Sequence, residues 1–313
     1  MLNVYRMRLL REVASHGSIA AAARALYVTP SAVSQQLTLL ENETGIELLE
    51  HVGRGVRLTY AGETLVSHAE EVLAALEKAE ADLEAIVRGV AGPIRTSAFP
   101  TAARALLVPA LALLKKEHPR LSLSMLDLEP EQSLPLLTTG ELDLVLTYGF
   151  DRLPERTSPG TERVLLLTEP IYIAVPSSHP AAQASARVAD FSEEEWIVGH
   201  EGSSLMEVVR RIANDAGFEP RVNLRSNDYQ VILSAVQAGL GVSIAPPIAL
   251  FADYPGVVLR EPTDVHMHRY VHAVIRRGSS GRPAVAAAIA ALKQVARSVG
   301  AAEKEADVTT ALS

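Results

Sequence analysis

The spacing of apolar residues between positions 65 and 86 constrains this chain more than any other feature. Leu65, Ala69, Val72, Leu76, Ala79, Leu83 and Ile86 follow one another at intervals of 4, 3, 4, 3, 4 and 3. A helix places such a series along one side, and a strict seven-residue repeat kept this long is the seam of a coiled coil. Thr59 stands where an N-cap belongs, and Gly89, Gly92 and Pro93 end the pattern. From Thr59 to about Arg88 the helix would be about 40 Å long, enough to hold two copies of a preceding domain apart. Leu65, Ala69, Val72, Leu76 and Leu83 are therefore candidate dimerisation residues. Charged neighbours flank them: Glu70, Glu71, Glu77, Lys78, Glu80 and Glu84. The helix also divides the chain into a short part before it and a long part after it.

A chain of 313 residues suits that division into two domains. Hydrophobic residues make up 48% and charged residues 21%, which supports a sizeable core and argues against wholesale disorder. The absence of cysteine excludes a disulfide scaffold, a thiolate metal site and a cysteine nucleophile. The charged, amphipathic start "MLNVYRMRLLREVASHG" does not read as a signal peptide, and no run reaches about 18 apolar residues, so no membrane span and a cytoplasmic location are expected. A net charge of −8 argues against a general polyanion binder, although local charge matters more than the total.

The short part reads as helices. Met7, Leu10 and Ala14 share one side of a first helix, with Gly17 placed to cap it. Ser18 is an N-cap candidate before "IAAAARAL", whose alanines keep the second helix thin. Tyr27 and Val28 make a short turn. Thr29 caps a third helix, and Pro30 fits its first position, where a missing N–H costs nothing. Val33, Leu37 and Leu40 form its buried stripe. Ser31, Ser34, Gln35 and Thr38 lie on the other side, with Gln36 beside them. Short donors and acceptors near a helix start can reach base edges and phosphates in the major groove, so the pair reads as a helix-turn-helix. An ordinary solvated face is the competing interpretation of this one helix. Two strand-like pieces then surround the turn Val52-Gly53-Arg54-Gly55, with Arg54 and Arg57 projecting, as in a wing that touches the DNA backbone or minor groove.

At this point "GSIAAAARALYVTPSAVSQQLTLLENETGIELLEHVGRGVRLTYAG" resembles the DNA-binding domain of the LysR-type transcriptional regulators. The likeness rests on the Ala-Ala-x-x-Leu helix, the Ser-Gln pair of the third helix, the Leu-Glu after it and the closing Leu-Thr-x-Ala-Gly. The family usually carries a basic residue near Thr38, phenylalanine at Leu49 and arginine at His51. Residues 1–60 hold six arginines against five glutamates, so this domain is less cationic than its relatives. The resemblance implies a DNA-binding regulator whose Ser18, Thr29, Pro30, Ser31, Ser34, Gln35, Gln36, Thr38, Arg54 and Arg57 face double-stranded DNA. It also implies dimers that pair into tetramers.

After Gly92 strands and helices alternate, from "IRTSAF" through "LSLSML", "LDLVLTY", "PIYIAV", "WIVG", "VNLRS" and "GVSIAP" to "HRYVHAVIRR". That order predicts parallel α/β sheets with one late return strand. "GELDLVL" and "VQAGLGVSIAP" extend the family likeness to about residue 299 and imply a two-lobed effector domain like a periplasmic binding protein. The expected division is a winged helix-turn-helix over 1–58, a linker helix over 59–91, an effector domain over 92–299 and a flexible tail over 300–313. Within the effector domain, lobe I is expected at about 92–165 and 269–299, and lobe II at about 166–268.

A ligand in such a fold belongs outside the carboxyl ends of the strands, where helix N-termini aim free N–H groups. The turns there hold Ser97, Phe99 and Thr101, then Ser203, then Asp228. Thr101, Ser203 and Asp228 also read as N-caps, with ligand contact additional to capping. The resemblance favours the first turn as the effector contact, with Ser97 or Thr101 serving. Asp228 and Glu129 offer partners for an ammonium, so a small zwitterion suits the cleft, with a carboxylated metabolite as the runner-up. Tyr148, closing "LDLVLTY", completes the effector-binding set.

Enzyme signatures are missing: no Walker loop, no Gly-x-Gly-x-x-Gly, no Gly-x-Ser-x-Gly and no His-Glu-x-x-His. No cofactor is expected. His266, His268 and His272 share one face of a strand, but period-two spacing spreads them along about 20 Å, which does not favour a metal site. A solute-binding or enzymatic α/β domain with an incidental helical N-terminus is the alternative to a regulator. The wing, the heptad and the Leu-Thr-x-Ala-Gly junction argue against it.

Overall fold

The computed structural model describes residues 2–52, 55–154, 158–250 and 254–311. Three helices come first: α1 (Val4–His16), α2 (Ile19–Ala25) and α3 (Pro30–Thr44). Each starts on a side chain that accepts a first-turn N–H, from Asn3, Ser18 and Thr29 respectively. The hairpin β1 (Leu49–Val52) and β2 (Gly55–Leu58) follows, antiparallel and in register from Leu49 opposite Leu58. Leu9, Leu10, Val13, Ala22, Ala23, Val33, Leu37 and Leu40 form the core of this winged domain. Tyr27, in the turn between α2 and α3, holds a left-handed backbone with φ 54° and is largely exposed.

The linker helix α4 (Tyr60–Arg88) is capped by Thr59. Lobe I then builds β3 (Gly92–Ala98), the short α5 (Pro100–Ala102), α6 (Val108–Glu117), β4 (Leu121–Asp127), α7 (Pro130–Thr139), β5 (Leu144–Phe150) and β6 (Thr161–Pro170). A π-type turn at Ala103–Leu107 joins α5 to α6, just ahead of Pro109, whose nitrogen cannot donate to the preceding turn. Lobe II holds β7 (Tyr172–Pro176), β8 (Glu195–Val198), α8 (Ser204–Asp215), β9 (Arg221–Arg225), α9 (Tyr229–Gln237), β10 (Ser243–Ala245) and β11 (Val257–Arg260). The chain returns to lobe I through β12 (His268–Arg276) and ends in α10 (Pro283–Ala311).

Lobe I is a five-stranded sheet in the order β4-β3-β5-β12-β6. Its first three strands are parallel; β12 runs antiparallel to β5 and β6. Lobe II pairs β10-β7-β11 antiparallel and β8-β9 parallel, with one bridge from Trp196 to Val242. The expectation of parallel sheets holds for β3, β4 and β5 and for β8 and β9, but needs correction elsewhere: β12, the late return strand, runs antiparallel to β5 and β6, and β7 runs antiparallel to β10 and β11. Because β6 stays in the lobe I sheet to Pro170, lobe II begins at Ile171 rather than near residue 166. Helix α10 runs on to Ala311, and the Ala, Glu and Lys content of its last turns favours helix. Among the described residues one helix, Pro283–Ala301, is long and apolar enough to cross a membrane by composition. Here it lies on lobe I, where Val285, Ala288, Leu292 and Ala296 enter the core.

Candidate functional site

The third helix presents the surface expected of it. Val33, Leu37 and Leu40 are buried, while Ser31, Ser34, Gln35 and Thr38 are exposed on the other side. Thr29 Oγ1 accepts from Ala32 N–H and lies 3.2 Å from Ser31 Oγ. Thr38 Oγ1 donates back to the Ser34 carbonyl. Ser18 is occupied as a cap, accepting from Ala21 N–H at 3.1 Å, and Pro30 is exposed in the first turn. Gln36 differs from its neighbours: its Oε1 accepts from Arg6 Nε at 3.0 Å, and Arg6 also pairs with Glu43. Gln36 thus joins α3 to α1 rather than lying free. In the wing, Arg57 is exposed but donates from Nε to Glu50 Oε1 at 2.7 Å. Arg54 lies outside the described residues.

The seam of α4 is not uniform. Leu65 packs on the winged-domain core, and Ala69 is fully buried on a helix that packs along α1. Both are consumed within their own protomer, because the first turns of α4 complete the winged domain. Val72, Leu76 and Leu83 stay exposed, at 38, 45 and 63%.

Between the lobes, Phe99, Thr101, Glu129, Tyr148, Phe150, Leu205, Asn227, Tyr229 and Arg269 enclose a free volume of about 20 Å³, little more than one water. The occupant is the chain's own Arg269, 1% exposed. Its guanidinium donates to Glu169 Oε1 and, at 3.4 Å, to Thr101 Oγ1. The guanidinium carbon stands 5.4, 5.8 and 6.0 Å from the ring centres of Phe99, Tyr148 and Tyr229. Burial works against its charge, yet Glu169 and the facing tyrosines raise its pKa above the ordinary arginine value. Tyr148 Oη donates to Glu129 Oε2 at 3.2 Å. Burial, with Glu131 next, pushes the Glu129 carboxyl up to about 7, so near neutrality it exchanges a proton inside the cleft.

The predicted effector residues therefore divide. Phe99, Thr101, Glu129 and Tyr148 converge. Ser97 is buried without a hydrogen-bond partner for its hydroxyl and does not line the cleft. Ser203 caps α8 by accepting from Met206 N–H, and exposed Asp228 caps α9 by accepting from Gln230 N–H. Their neighbours Leu205, Asn227 and Tyr229 line the cavity instead. Arg269 escaped the sequence reading, although a signal existed. In "VHMHRYVHAV" the histidines take one strand face, which puts Arg269 on the inward face with Met267, Val271 and Ala273. A lone arginine on an otherwise apolar inward stripe marks a buried cation. The histidines themselves are dispersed: His266 pairs with Glu261 and His268 with Asp151, and no metal-holding group is found among the described residues.

The family described as "LysR substrate binding domain" matches residues 88–297, and "Bacterial regulatory helix-turn-helix protein, lysR family" matches residues 4–63. The chain belongs to the LysR family. It is a DNA-binding transcriptional regulator with an effector-binding domain, not an enzyme. It is similar to the transcriptional dual regulator GltC of Bacillus subtilis strain 168, at 27% identity over 84% of this chain and 87% of that protein. The regulator CbbR of Rhodospirillum rubrum is 28% identical over 93% of this chain and 96% of its own length. Among solved structures, full-length CbnR complexed with its target DNA shares the fold with a TM-score of 0.52 and 24% identity, covering 94% of this chain and all of that one.

Proposed function

We propose that this LysR family regulator reads duplex DNA with the uncharged face of α3 and takes a small effector into the cleft filled by Arg269. The observation that carries the first half is the division of α3, with Ser31, Ser34, Gln35 and Thr38 exposed and Val33, Leu37 and Leu40 buried. A thin, polar, hydrogen-bonding helix face suits base edges in the major groove. CbnR, which shares the fold, is a target-DNA binder. Arg57 serves the phosphate backbone once released from Glu50. Val72, Leu76 and Leu83 supply the apolar side on which a second copy pairs, and two such dimers assemble into a tetramer. The protein works in the cytoplasm.

The effector half rests on Thr101, Glu129, Tyr148 and Phe99 around Arg269. With Asp228 outside the cleft, Glu129 is the carboxylate left to meet an ammonium, and Arg269 with Thr101 is the place for a carboxylate. A small zwitterion or carboxylated metabolite fits that pairing, provided the lobes part to admit it. A mobility shift on DNA upstream of the chain's own gene, with and without candidate metabolites, tests the proposal. Specific retardation that a metabolite modulates is expected; no DNA preference at any salt concentration would sink it. Thr101→Val should weaken effector binding roughly 10- to 150-fold through loss of a charge-assisted hydrogen bond, leaving basal DNA binding intact.

A further inference from the structure

The linker helix carries a second stripe two residues out of phase with the first. Glu70, Ala74, Glu77, Ala81 and Glu84 repeat at 4, 3, 4 and 3. Each glutamate of this stripe meets an arginine of lobe I. Glu77 Oε1 accepts from Arg276 Nε at 2.6 Å. Glu84 takes Arg282 with both oxygens, at 2.8 and 2.9 Å, a bidentate geometry. Glu70 lies 4.0 Å from Arg277. Behind them Asp143, nearly fully buried, accepts from Arg95 and Arg282 and lies 3.5 Å from Arg276. Arg276 Nη1 also donates to the Leu137 and Leu142 carbonyls.

The two alanines let backbone come close. Gly278 has φ 89°, and a Cβ there would collide with the Ala74 carbonyl. Arg8 of α1 adds a contact of the winged domain itself, donating to the Thr138 carbonyl at 2.8 Å. The second half of α4 is thus docked on lobe I by charge, shape and backbone contact together.

Strand β12 holds both ends of this arrangement. Arg269, near its start, touches Thr101, Phe99 and Tyr148 of lobe I and Tyr229 of lobe II. Arg276, at its end, holds Glu77. Seven residue steps of strand separate them, about 23 Å. Hydrogen bonding to β5 on one side and β6 on the other stiffens the strand between.

We propose that the Glu70/Glu77/Glu84 face of α4 is a docking contact on lobe I, and that β12 transmits the state of the interlobe cleft to it and so to the reading head. A ligand that draws Arg269 from Glu169 or parts the lobes shifts one end of β12. The paired charges at the other end have two discrete states, docked and released, so a small shift redistributes their populations. The transmission rests on the cleft being the effector site, while the docking contact stands without it.

The cysteine-free chain allows a direct test. A Cβ at Gly281 would lie 3.7 Å from Ala81 Cβ, inside the range that disulfides span. Full-length Ala81→Cys/Gly281→Cys is expected to close an intrachain disulfide under oxidised glutathione, running as a single chain on a non-reducing gel. Thiols that stay free, or cross-links only between chains, would overturn the docking contact. Ala81 is fully buried, so in the reduced protein labelling of its thiol reports undocking. Adding Glu169→Gln or, should that misfold, Tyr229→Leu perturbs the cleft with no contact at the junction. Labelling rates should change by roughly 2- to 30-fold. Unchanged rates in a variant with native circular dichroism would overturn the transmission by β12. Neither arm uses an effector or DNA, so failure here is distinct from failure of the proposed effector site.

Discussion

Arg269 and Glu169 are direct partners across β12 and β6, and one carboxylate oxygen takes both Nε at 2.8 Å and Nη2 at 2.6 Å of a guanidinium with almost no exposure. Arg269 of this pair lines the interlobe cavity proposed above as the effector site. A buried pair adds little net stability while whole, since desolvation offsets attraction, but losing one member strands a charge. Glu169→Gln should therefore cost about 3–5 kcal/mol in urea unfolding, whereas Glu169→Gln combined with Arg269→Met should cost clearly less than the sum of the two single changes. Additive losses would show that the two side chains do not interact energetically.

Glu129 makes stability depend on pH. Its folded pKa of about 7 lies above the ordinary glutamate value near 4.3, so between those limits the folded chain holds a proton that the unfolded chain has released. Unfolding free energy from this group accordingly falls as pH rises through the window and is fully present below it. The charges facing it are Glu131, Asp127 and Arg269, with the Tyr148 hydroxyl as donor. Thermal unfolding followed from pH 5 to pH 8 should show a decline that Glu129→Gln flattens. Parallel curves for the two proteins would contradict a half-buried Glu129 that keeps its proton in the folded chain.

Adjacent glutamines on α3 should behave differently. Gln35 is exposed, so Gln35→Ala should leave folding unchanged and weaken binding to the specific site by about 1–3 kcal/mol, with non-specific binding retained. Gln36 is held by Arg6, so Gln36→Ala should lower the stability of the winged domain by about 0.5–1.5 kcal/mol. Binding titrations on specific and scrambled duplexes, beside denaturation curves, separate the two. Equal loss of specificity in both variants would place Gln36 on the DNA as well.

Leu76 and Ala69 test the linker seam from opposite sides. Leu76 is 45% exposed and Ala69 fully buried. Leu76→Asp should reduce the sedimenting mass while the protomer unfolds at its usual temperature, because a charge then faces the partner helix. Ala69→Asp should instead destabilise the winged domain itself by several kcal/mol, about what an unpaired buried charge costs. An unchanged mass for Leu76→Asp would remove the coiled-coil seam from the assembly.

Glu50 holds Arg57, the side chain proposed above to serve the DNA backbone. The pair is exposed and costs only about 0.2–1 kcal/mol to break. Glu50→Gln should free Arg57 and steepen the dependence of log affinity on log salt by up to about 0.9 per reading head, and Arg57→Ala should make it shallower. Affinities measured at several salt concentrations decide this; a slope indifferent to both changes would mean that the wing stays off the backbone.

The sequence by itself determined the reading head and the order of the parts. Caps at Ser18, Thr29 and Thr59, the stripe Val33/Leu37/Leu40 and the heptad from Leu65 are local patterns, set by backbone hydrogen-bonding needs and helical period within a few turns. Thr101, Glu129, Tyr148 and Phe99 were legible because loops at strand ends converge in any such α/β lobe. Tertiary structure alone decided the rest. Antiparallel pairing of β6 and β12 depends on which strands meet across a hundred residues, which local alternation cannot encode. Arg269 came to line the cleft because Glu169 lies directly across the sheet to pair with it, and Ser97, fully buried in β3, lies outside the cleft lining. Leu65 and Ala69, identical in pattern to Leu76, were taken by their own domain. A helical stripe fixes which residues share a side, but only the folded chain fixes what that side meets.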